Sequence, residues 1–298
     1  MVGTALTKEL IIRGYSVIIL SRNAKKTEGN IAYAQWDLTK GTIDARAIES
    51  TDYIIHLAGA NVADGRWTTK RKREIVDSRV QSGQLLVKAL SEVENKVQSV
   101  VSASAIGWYG ADPVVPNPQP FIETDKPDES FLGDTSRQWE GAIQPVRNLL
   151  KRLVIYRIGI VLSNQGGAYA EFIRPLKFGM ASVLGSGKQV VSWIHIDDLV
   201  QLFIYTLENK SIEGIYNAVA PGPVSNEALI KAIATEKGGT HITAHIPQFV
   251  LKTMLGEMSV EVLKSATVSS KKIETTGYKF RFETIENAVR DLIEKEAG

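Results

Sequence analysis

The chain has no cysteine in its 298 residues. That absence excludes disulfides, thiolate metal centres and cysteine nucleophiles together. Histidine is nearly as scarce, with four. Two of them, His241 and His245, alternate on one predicted strand, roughly 13 Å apart along it, so they cannot chelate one ion between them without outside ligands. No metal is expected. No apolar run approaches the ~20 residues of a membrane-spanning helix, and no secretory leader precedes the first predicted helix. The expectation is a cytoplasmic protein with no membrane partner. Charge of neither sign dominates: 35 basic against 33 acidic residues leave a formal +2, which gives no reason to expect nucleic acid as a partner. A P-loop is missing too. Gly185-Ser186-Gly187-Lys188 has the Gly-Lys pair, but Ser182 stands where the pattern requires glycine and Gln189 where it requires Ser or Thr. Its glycines are read instead as a flexible edge of a substrate cleft.

What the sequence does have is an alternation of helix and strand. Met1-Val2-Gly3 runs straight into an amphipathic helix with Val2, Leu6, Leu10 and Ile11 at helical spacing and Gly14 as its stop. Val17 to Leu20 follows as a buried strand ending in Ser21-Arg22-Asn23. A helix followed by a continuous apolar strand is the second half of a βαβ unit. Its opening strand and most of a Gly-rich turn belong upstream of Gly3, so the natural protein is expected to carry roughly ten further residues there. Ile31 to Trp36 is a short strand closed by Asp37-Leu38. Tyr53 to Ala60 is an apolar strand that ends in small residues, as a strand must where a ligand approaches backbone. A long helix starts near Thr68, with Ile75, Val76, Val80, Leu86 and Leu90 inward. Its basic run Lys70-Arg71-Lys72-Arg73 reads as a solvated face. Ser99 to Ser104 is the next strand.

Residues 112–129 carry five prolines and several acids, a long loop of the kind that serves as a lid or binding segment. A helix is predicted over 136–150, kinked or ended in its first part by Pro145. Leu153 to Leu162 is the most apolar strand of the chain. After it comes Ser192-Trp193-Ile194-His195, a short strand, and then a helix with Asp197 as N-cap and Asp198 in the first turn. That helix buries Leu199, Leu202, Phe203, Thr206 and Leu207. Ile215 to Val219 is another strand. Beyond Ala220-Pro221-Gly222-Pro223 the pattern changes: a helix over 226–235, an alternating segment over 240–246, a helix after Pro247, Tyr278 to Phe282, and a closing helix through Ile285, Ala288, Val289 and Leu292. The fold class is α/β, a Rossmann-like doubly wound parallel sheet over 1–163 and about 190–220. Residues 164–189 and 221–298 form a smaller α+β substrate lobe. The site belongs at the strand C-termini. Arg22 ends a strand where NAD-preferring folds place an acid for the ribose 2′-hydroxyl; an arginine there accommodates the 2′-phosphate of NADP, and Ser21 can donate to the same group.

The matching pieces are Gly3 with its helix, Leu20-Ser21-Arg22, His56-Leu57-Ala58-Gly59-Ala60, Ser78-Arg79-Val80, Ser102 to Gly110, Arg157 to Leu162, Ser192 to Leu199, and Asn217 to Pro221. Through them the chain resembles the short-chain dehydrogenase/reductase superfamily in its extended, NAD-dependent epimerase/dehydratase-like branch. Within that branch it looks most like the atypical SDR39U subfamily, which includes bacterial proteins described as sugar-nucleotide epimerases or SulA-type cell-division inhibitors. The resemblance implies that NADP(H) lies over Gly3, Ser21, Arg22, Asp37, Leu57, Ala58 and Gly59. Glu74, Arg79 and Val161 would also line its site. Arg79 stands where most of the superfamily has asparagine.

The departures bear on catalysis. The superfamily relies on a Tyr-x-x-x-Lys pair, whose lysine lowers the tyrosine pKa from ~10 towards working pH. None of the nine tyrosines here has a lysine four residues on. Setting Glu140 on the family's helix glutamate puts Leu132 and Ser136 in the places of Tyr and Lys. The catalytic candidates that remain are Ser104, which could polarise a carbonyl, Tyr109 as the nearest phenol, and His195 as a second acid/base group. Two functions follow as expectations: an NADP(H)-dependent oxidoreductase or epimerase-like enzyme on a small or nucleotide-linked substrate, or a non-catalytic NADP(H)-sensing regulatory or binding protein related to cell division.

Overall fold

Alternation of apolar residues decides which face of each strand is covered. In the computed structural model, which describes residues 1–23 and 27–297, helix α1 (Val2–Ile12) ends where Gly14 turns at φ +84, a left-handed geometry that glycine adopts without strain. The chain enters β1 (Val17–Ser21), β2 (Ile31–Asp37), β3 (Thr42–Ile43), α2 (Ala45–Glu49) and β4 (Tyr53–His56). Helix α3 (Thr69–Glu92) is capped by the Thr68 hydroxyl, which accepts from the Arg71 amide. There follow β5 (Ser99–Ala105), a short 3₁₀ turn over Ile106–Trp108, α4 (Phe131–Ile143) and a second 3₁₀ segment, Gln144–Leu149. Next come β6 (Arg152–Ile158), β7 (Ile160–Leu162), α5 (Ala168–Leu176), β8 (Met180–Leu184), β9 (Val190–Val191), β10 (Trp193–His195) and α6 (Ile196–Glu208). The rest of the chain supplies β11 (Gly214–Ala218), β12 (Val224–Ser225), α7 (Asn226–Lys237), β13 (Ile242–Ile246), α8 (Gln248–Leu255), α9 (Met258–Leu263), α10 (Lys271–Glu274) and α11 (Ile285–Ala297).

Four strands form the central parallel sheet in the order β11-β6-β5-β4. Val100, Leu153 and Ile155 point to one face, under Leu86, Leu90 and Ile143 of α3 and α4. Val101, Val154 and Tyr156 point to the other, under Leu6 and Leu10 of α1 and Leu199, Leu202 and Phe203 of α6. Helices on both faces of a parallel sheet make the Rossmann-like doubly wound architecture. A separate ladder holds β1 parallel to β2 and β3 antiparallel to β2. No helix among the described residues is long and apolar enough to cross a membrane.

Several elements differ from the sequence reading. The strand predicted over 153–162 is two. A β-carbon on Gly159 would sit 2.6 Å from the Ser192 carbonyl oxygen and 2.8 Å from Val219 Cγ1, so the chain passes there only as glycine. It also changes partners, from β11 at Ile158 to β10 at Ile160. Helix α4 starts at Phe131 rather than 136, because the Ser130 hydroxyl accepts from the Gly133 amide as an N-cap. Pro145 ends it as α-helix and leaves a 3₁₀ segment. The N-cap of α6 is His195, whose Nδ1 accepts from the Asp197 amide; Asp197 itself lies in the first turn. Asp198 does more than meet the helix dipole. Its two oxygens accept from the amides of Arg281 and Phe282, at 2.8 and 3.0 Å, and its carbonyl accepts from the Tyr278 hydroxyl.

The glycine-rich loop is not a flexible edge. A β-carbon on Gly187 would meet Val183 Cγ1 at 2.4 Å, and one on Gly185 would meet Leu263 Cδ2 at 2.8 Å. The Gly185 amide bonds to Ile246 and the Gly187 carbonyl receives Glu227. A second core joins Leu162, Tyr169, Ile173, Val183 and Trp193 to Leu229, Ile233, Phe282, Val289 and Leu292. Ile273, Tyr278 and Phe280, by contrast, pack into the first core with α1, α6 and the sheet.

Candidate active-site cleft

The C-terminal ends of β1, β2 and β4 gather the residues expected around a dinucleotide. Ser21 closes β1, and its hydroxyl accepts from the Asn23 amide. Arg22 follows, exposed, with no carboxylate at ion-pair distance among the described residues. Asp37 at the end of β2 accepts from the Thr39 and Lys40 amides through Oδ1, and its Oδ2 faces the Lys40 ammonium at 3.9 Å. Gly3 on α1 lies beside Leu57, whose Cδ1 would be 3.8 Å from an added β-carbon. Val161 pairs in register with Ile194, and its carbonyl comes close to Gly167. Ala58 continues the loop between Leu57 and Gly59 and is half-buried.

Gly59 and Arg79 fit against each other. A β-carbon on Gly59 would stand 3.0 Å from Arg79 Cζ, so a larger residue would push the guanidinium by a few tenths of an ångström. Arg79 Nη1 donates to the carbonyls of Ala60 and Ile75 at 3.0 and 2.9 Å, and Cζ lies 4.8 Å from the Trp139 ring centre. Burial and the nearby Arg71 lower its pKa to about 10. Glu74, one turn earlier, is exposed and paired with Arg71 at 2.8 Å. Beneath them His56 is buried between two hydroxyls, Ser102 at 3.0 Å and Ser82 at 2.8 Å. Burial holds its pKa down at about 4, with Arg79 adding to the effect.

Ser104 and Tyr109 belong to one buried network. The Ser104 hydroxyl donates to Glu140 Oε1 at 2.8 Å, and the same carboxylate takes Arg157 in a bidentate pair at 2.8 and 3.0 Å. Arg157 Nη1 donates to the Tyr109 hydroxyl at 3.1 Å, which in turn donates to Asn217 Oδ1 at 2.7 Å. The Arg157 guanidinium also lies over Trp108, 3.6 Å from Cζ to the ring centre. Tyr109 has no exposed surface, and burial pushes its phenol up to about 12 despite Arg157. A sealed phenol with both hydrogen bonds spent cannot pass a proton to a ligand, so the structure gives Tyr109 a packing place rather than the acid/base place that sequence proximity suggested. Leu132, Ser136 and Glu140 share one face of α4. A β-carbon on Gly107 would lie 3.1 Å from Leu132 Cβ and 3.7 Å from the Ser136 hydroxyl.

His195 lies in a different cluster. Its ring has no exposed surface and sits 3.9 Å from the Phe282 ring centre. Nε2 is 3.2 Å from Asp291 Oδ2, out of hydrogen-bond alignment, and Lys295 Nζ bridges Asp197 and Asp291 at 2.7 and 2.8 Å. Burial keeps the imidazole pKa down near 4 although both carboxylates pull the other way. His195, Asp197 and Asp291 hold donor atoms within 4.8 Å of one another, but the Lys295 ammonium already occupies the space between the two carboxylates. The ring caps α6 and anchors α11, and nothing joins it to Ser104.

Sequence reasoning missed His56, Trp139 and the roles of Glu140 and Arg157. One signal was available: an arginine in the middle of the most apolar strand has to find a buried carboxylate.

The profile of the NAD dependent epimerase/dehydratase family matches residues 1–136, and a domain of unknown function, DUF1731, matches residues 246–292. The epimerase family protein YfhF of Bacillus subtilis is 36% identical over 293 residues, covering 98% of this chain and 94% of its own. The epimerase family protein SAR0825 of Staphylococcus aureus is 34% identical, covering 99% and 96%. Among solved structures, human epimerase family protein SDR39U1 (isoform 2), crystallised with NADPH, matches with a TM-score of 0.87 and 26% identity over 99% of this chain and 96% of that one. A nucleoside-diphosphate sugar epimerase from Corynebacterium glutamicum matches with a TM-score of 0.75 and 28% identity, over 98% of this chain and 56% of that one. With this similarity along its whole length, the chain belongs to the NAD dependent epimerase/dehydratase family.

Proposed function

We propose that the protein binds NADP(H) across the ends of β1, β2 and β4 and acts as an oxidoreductase or epimerase-like enzyme on a small or nucleotide-linked substrate. The observation that carries the choice of NADP over NAD is Arg22. It follows β1 with Ser21 beside it, and no carboxylate among the described residues neutralises it. The neighbouring acid, Asp37, is engaged by two backbone amides, which leaves the 2′-position to the arginine. The remaining residues fit the group: Gly3 and Gly59 present bare backbone, and Arg79 presents a further cation. When bound, the nicotinamide supplies or takes the hydride. Ser104, its proton committed to Glu140, keeps its oxygen as an acceptor for a substrate hydroxyl.

Replacing Arg22 by Ala is expected to weaken NADPH about tenfold or more, the worth of a charge-assisted hydrogen bond, and to leave NADH almost unchanged. Equal losses for both in calorimetric titration would refute the 2′-phosphate assignment. A second reading, an NADP(H)-sensing protein without catalysis, is favoured by one observation: Leu132 and Ser136 pack at Gly107 on the helix face where the family's phenol and lysine would act. Ser104→Ala separates the two. Loss of NADPH turnover with retained binding supports the enzyme, whereas turnover absent in both proteins across a broad substrate panel supports the sensor.

A further inference from the structure

Arg79 is a cation without a counter-ion. Its place on α3 falls between Ile75 and Ser82, both fully buried, on the face that packs inward. The chain shows elsewhere what it does with such a residue: Arg157 receives a bidentate carboxylate, a phenol and a carbonyl. Arg79 receives two main-chain carbonyls, both on Nη1, and the face of Trp139. No carboxylate among the described residues lies within ion-pair distance of it. Nε and Nη2 make no hydrogen bond among the described residues, yet neither is among the sealed, unpartnered atoms. That edge of the guanidinium is therefore open to solvent beside exposed Gly59. Arg71, the nearest second cation, is already held by Glu74 and the main chain of Asn61.

A half-buried guanidinium is costly unless something negative completes it. Its orientation is fixed in advance: Nη1 is pinned, Trp139 covers one side, and bare Gly59 approaches another. A planar, pre-set fork with two free donors is the geometry that takes two oxygens of a carboxylate or phosphate.

We propose that Arg79 is an oxyanion seat: its Nε/Nη2 edge binds a phosphate or carboxylate oxygen pair at the end of β4, and so supplies in the cleft the fixed positive charge for which α4 offers no lysine. The seat rests on the reading of this cleft as the ligand site, but not on the cofactor being NADP. The anion can come from the dinucleotide's diphosphate or from a carboxylate on the substrate.

The test compares wild type, Arg79→Gln, Arg79→Lys and Arg22→Ala. Each is titrated with NADPH, NADH, inorganic phosphate and acetate at constant ionic strength, with affinity and thermal stability as readouts. Wild type is expected to be stabilised by phosphate or acetate over chloride, and Arg79→Gln to lose that affinity by about 10- to 100-fold. Arg79→Lys is expected to keep part of it, and Arg22→Ala to lose NADPH affinity without losing NADH or acetate affinity. Parallel loss of NADPH and NADH in Arg79→Gln assigns the seat to the diphosphate. Unchanged dinucleotide affinity with lost acetate binding assigns it to a substrate carboxylate. Without ligand, Arg79→Gln should melt at or above wild type, because an unneutralised charge has gone. A ligand-free melting point lowered in Arg79→Gln, restored in Arg79→Lys, and indifferent to anions would overturn the proposal by making Arg79 structural. If wild type binds no NADPH but Arg79-dependent anion binding persists, the cofactor reading fails and the seat stands.

Discussion

His56 is held neutral by its surroundings, and that has a measurable cost in acid. The two serine hydroxyls can satisfy a neutral ring, one nitrogen donating and the other accepting, but Ser82 and Ser102 offer no negative charge to an imidazolium. The folded ring titrates near 4, whereas an unfolded histidine titrates near 6.5. Between those values the unfolded chain binds the extra proton, so stability present above pH 6.5 is lost as the pH falls towards 4. The loss from this one group is on the order of 3 kcal/mol. Urea denaturation at pH 7 and pH 4.5 should show it, and ring titration by NMR should place the residue's midpoint well below 6. A normal midpoint would mean that the ring reaches water. Single residues were unevenly legible in the sequence. The places of Arg22 and Ser104 at the ends of β1 and β5 were legible. Tyr109 and His195 do not, because whether a phenol or imidazole faces ligand or core depends on partners over a hundred positions away or on a distant helix: Asn217 in one case, Asp291 and Lys295 in the other.

Among the elements, the strand broken at Gly159 carries the chain from the first core into the second. β6 belongs to the central sheet and β7 pairs with β10, so one glycine lets a continuous apolar segment serve both. Gly159→Ala forces a carbon against the Ser192 carbonyl at 2.6 Å, and backbone cannot swing aside as a side chain can. A loss of about 2–3 kcal/mol is expected, seen as a lower midpoint in thermal denaturation. Gly141 gives the contrast. It lies within α4 with nothing within 4 Å of an added β-carbon, so Gly141→Ala should gain about 0.5–1 kcal/mol. An equal response at the two sites would remove the packing argument. Elements were the most legible level: the period of the apolar residues gives α1, α3, α6 and β5 nearly to the residue. The break at Gly159 was not legible, because the obstruction is a carbonyl supplied by Ser192, far along the chain. Nor was the start of α4, where Ser130 was one polar residue among many in an acidic loop.

At the scale of the whole molecule, the Rossmann-like parallel sheet with helices on both faces was readable from the alternation of helix and strand. What alternation cannot show is which core a late segment joins. Tyr278 to Phe282 reads as part of the second lobe, yet Tyr278 and Phe280 fill the first core and Phe282 the second. The fixing group is Asp198, whose carboxylate takes two amides from this segment. An aspartate in a helix's first turn is common enough that nothing in its sequence setting marks it as a long-range anchor.

That anchoring has a consequence for how the protein is made. Synthesis runs from the amino end, and a nucleotide-binding half built only from early residues could close on the ribosome before the rest appeared. Here Ile273, Tyr278 and Phe280 are missing from the first core until residues 273–280 have emerged. The early strands and helices can collapse, but α6 keeps a buried carboxylate without its amide partners until residues 281 and 282 arrive. The two cores are therefore finished together, by the same stretch of chain over 273–282.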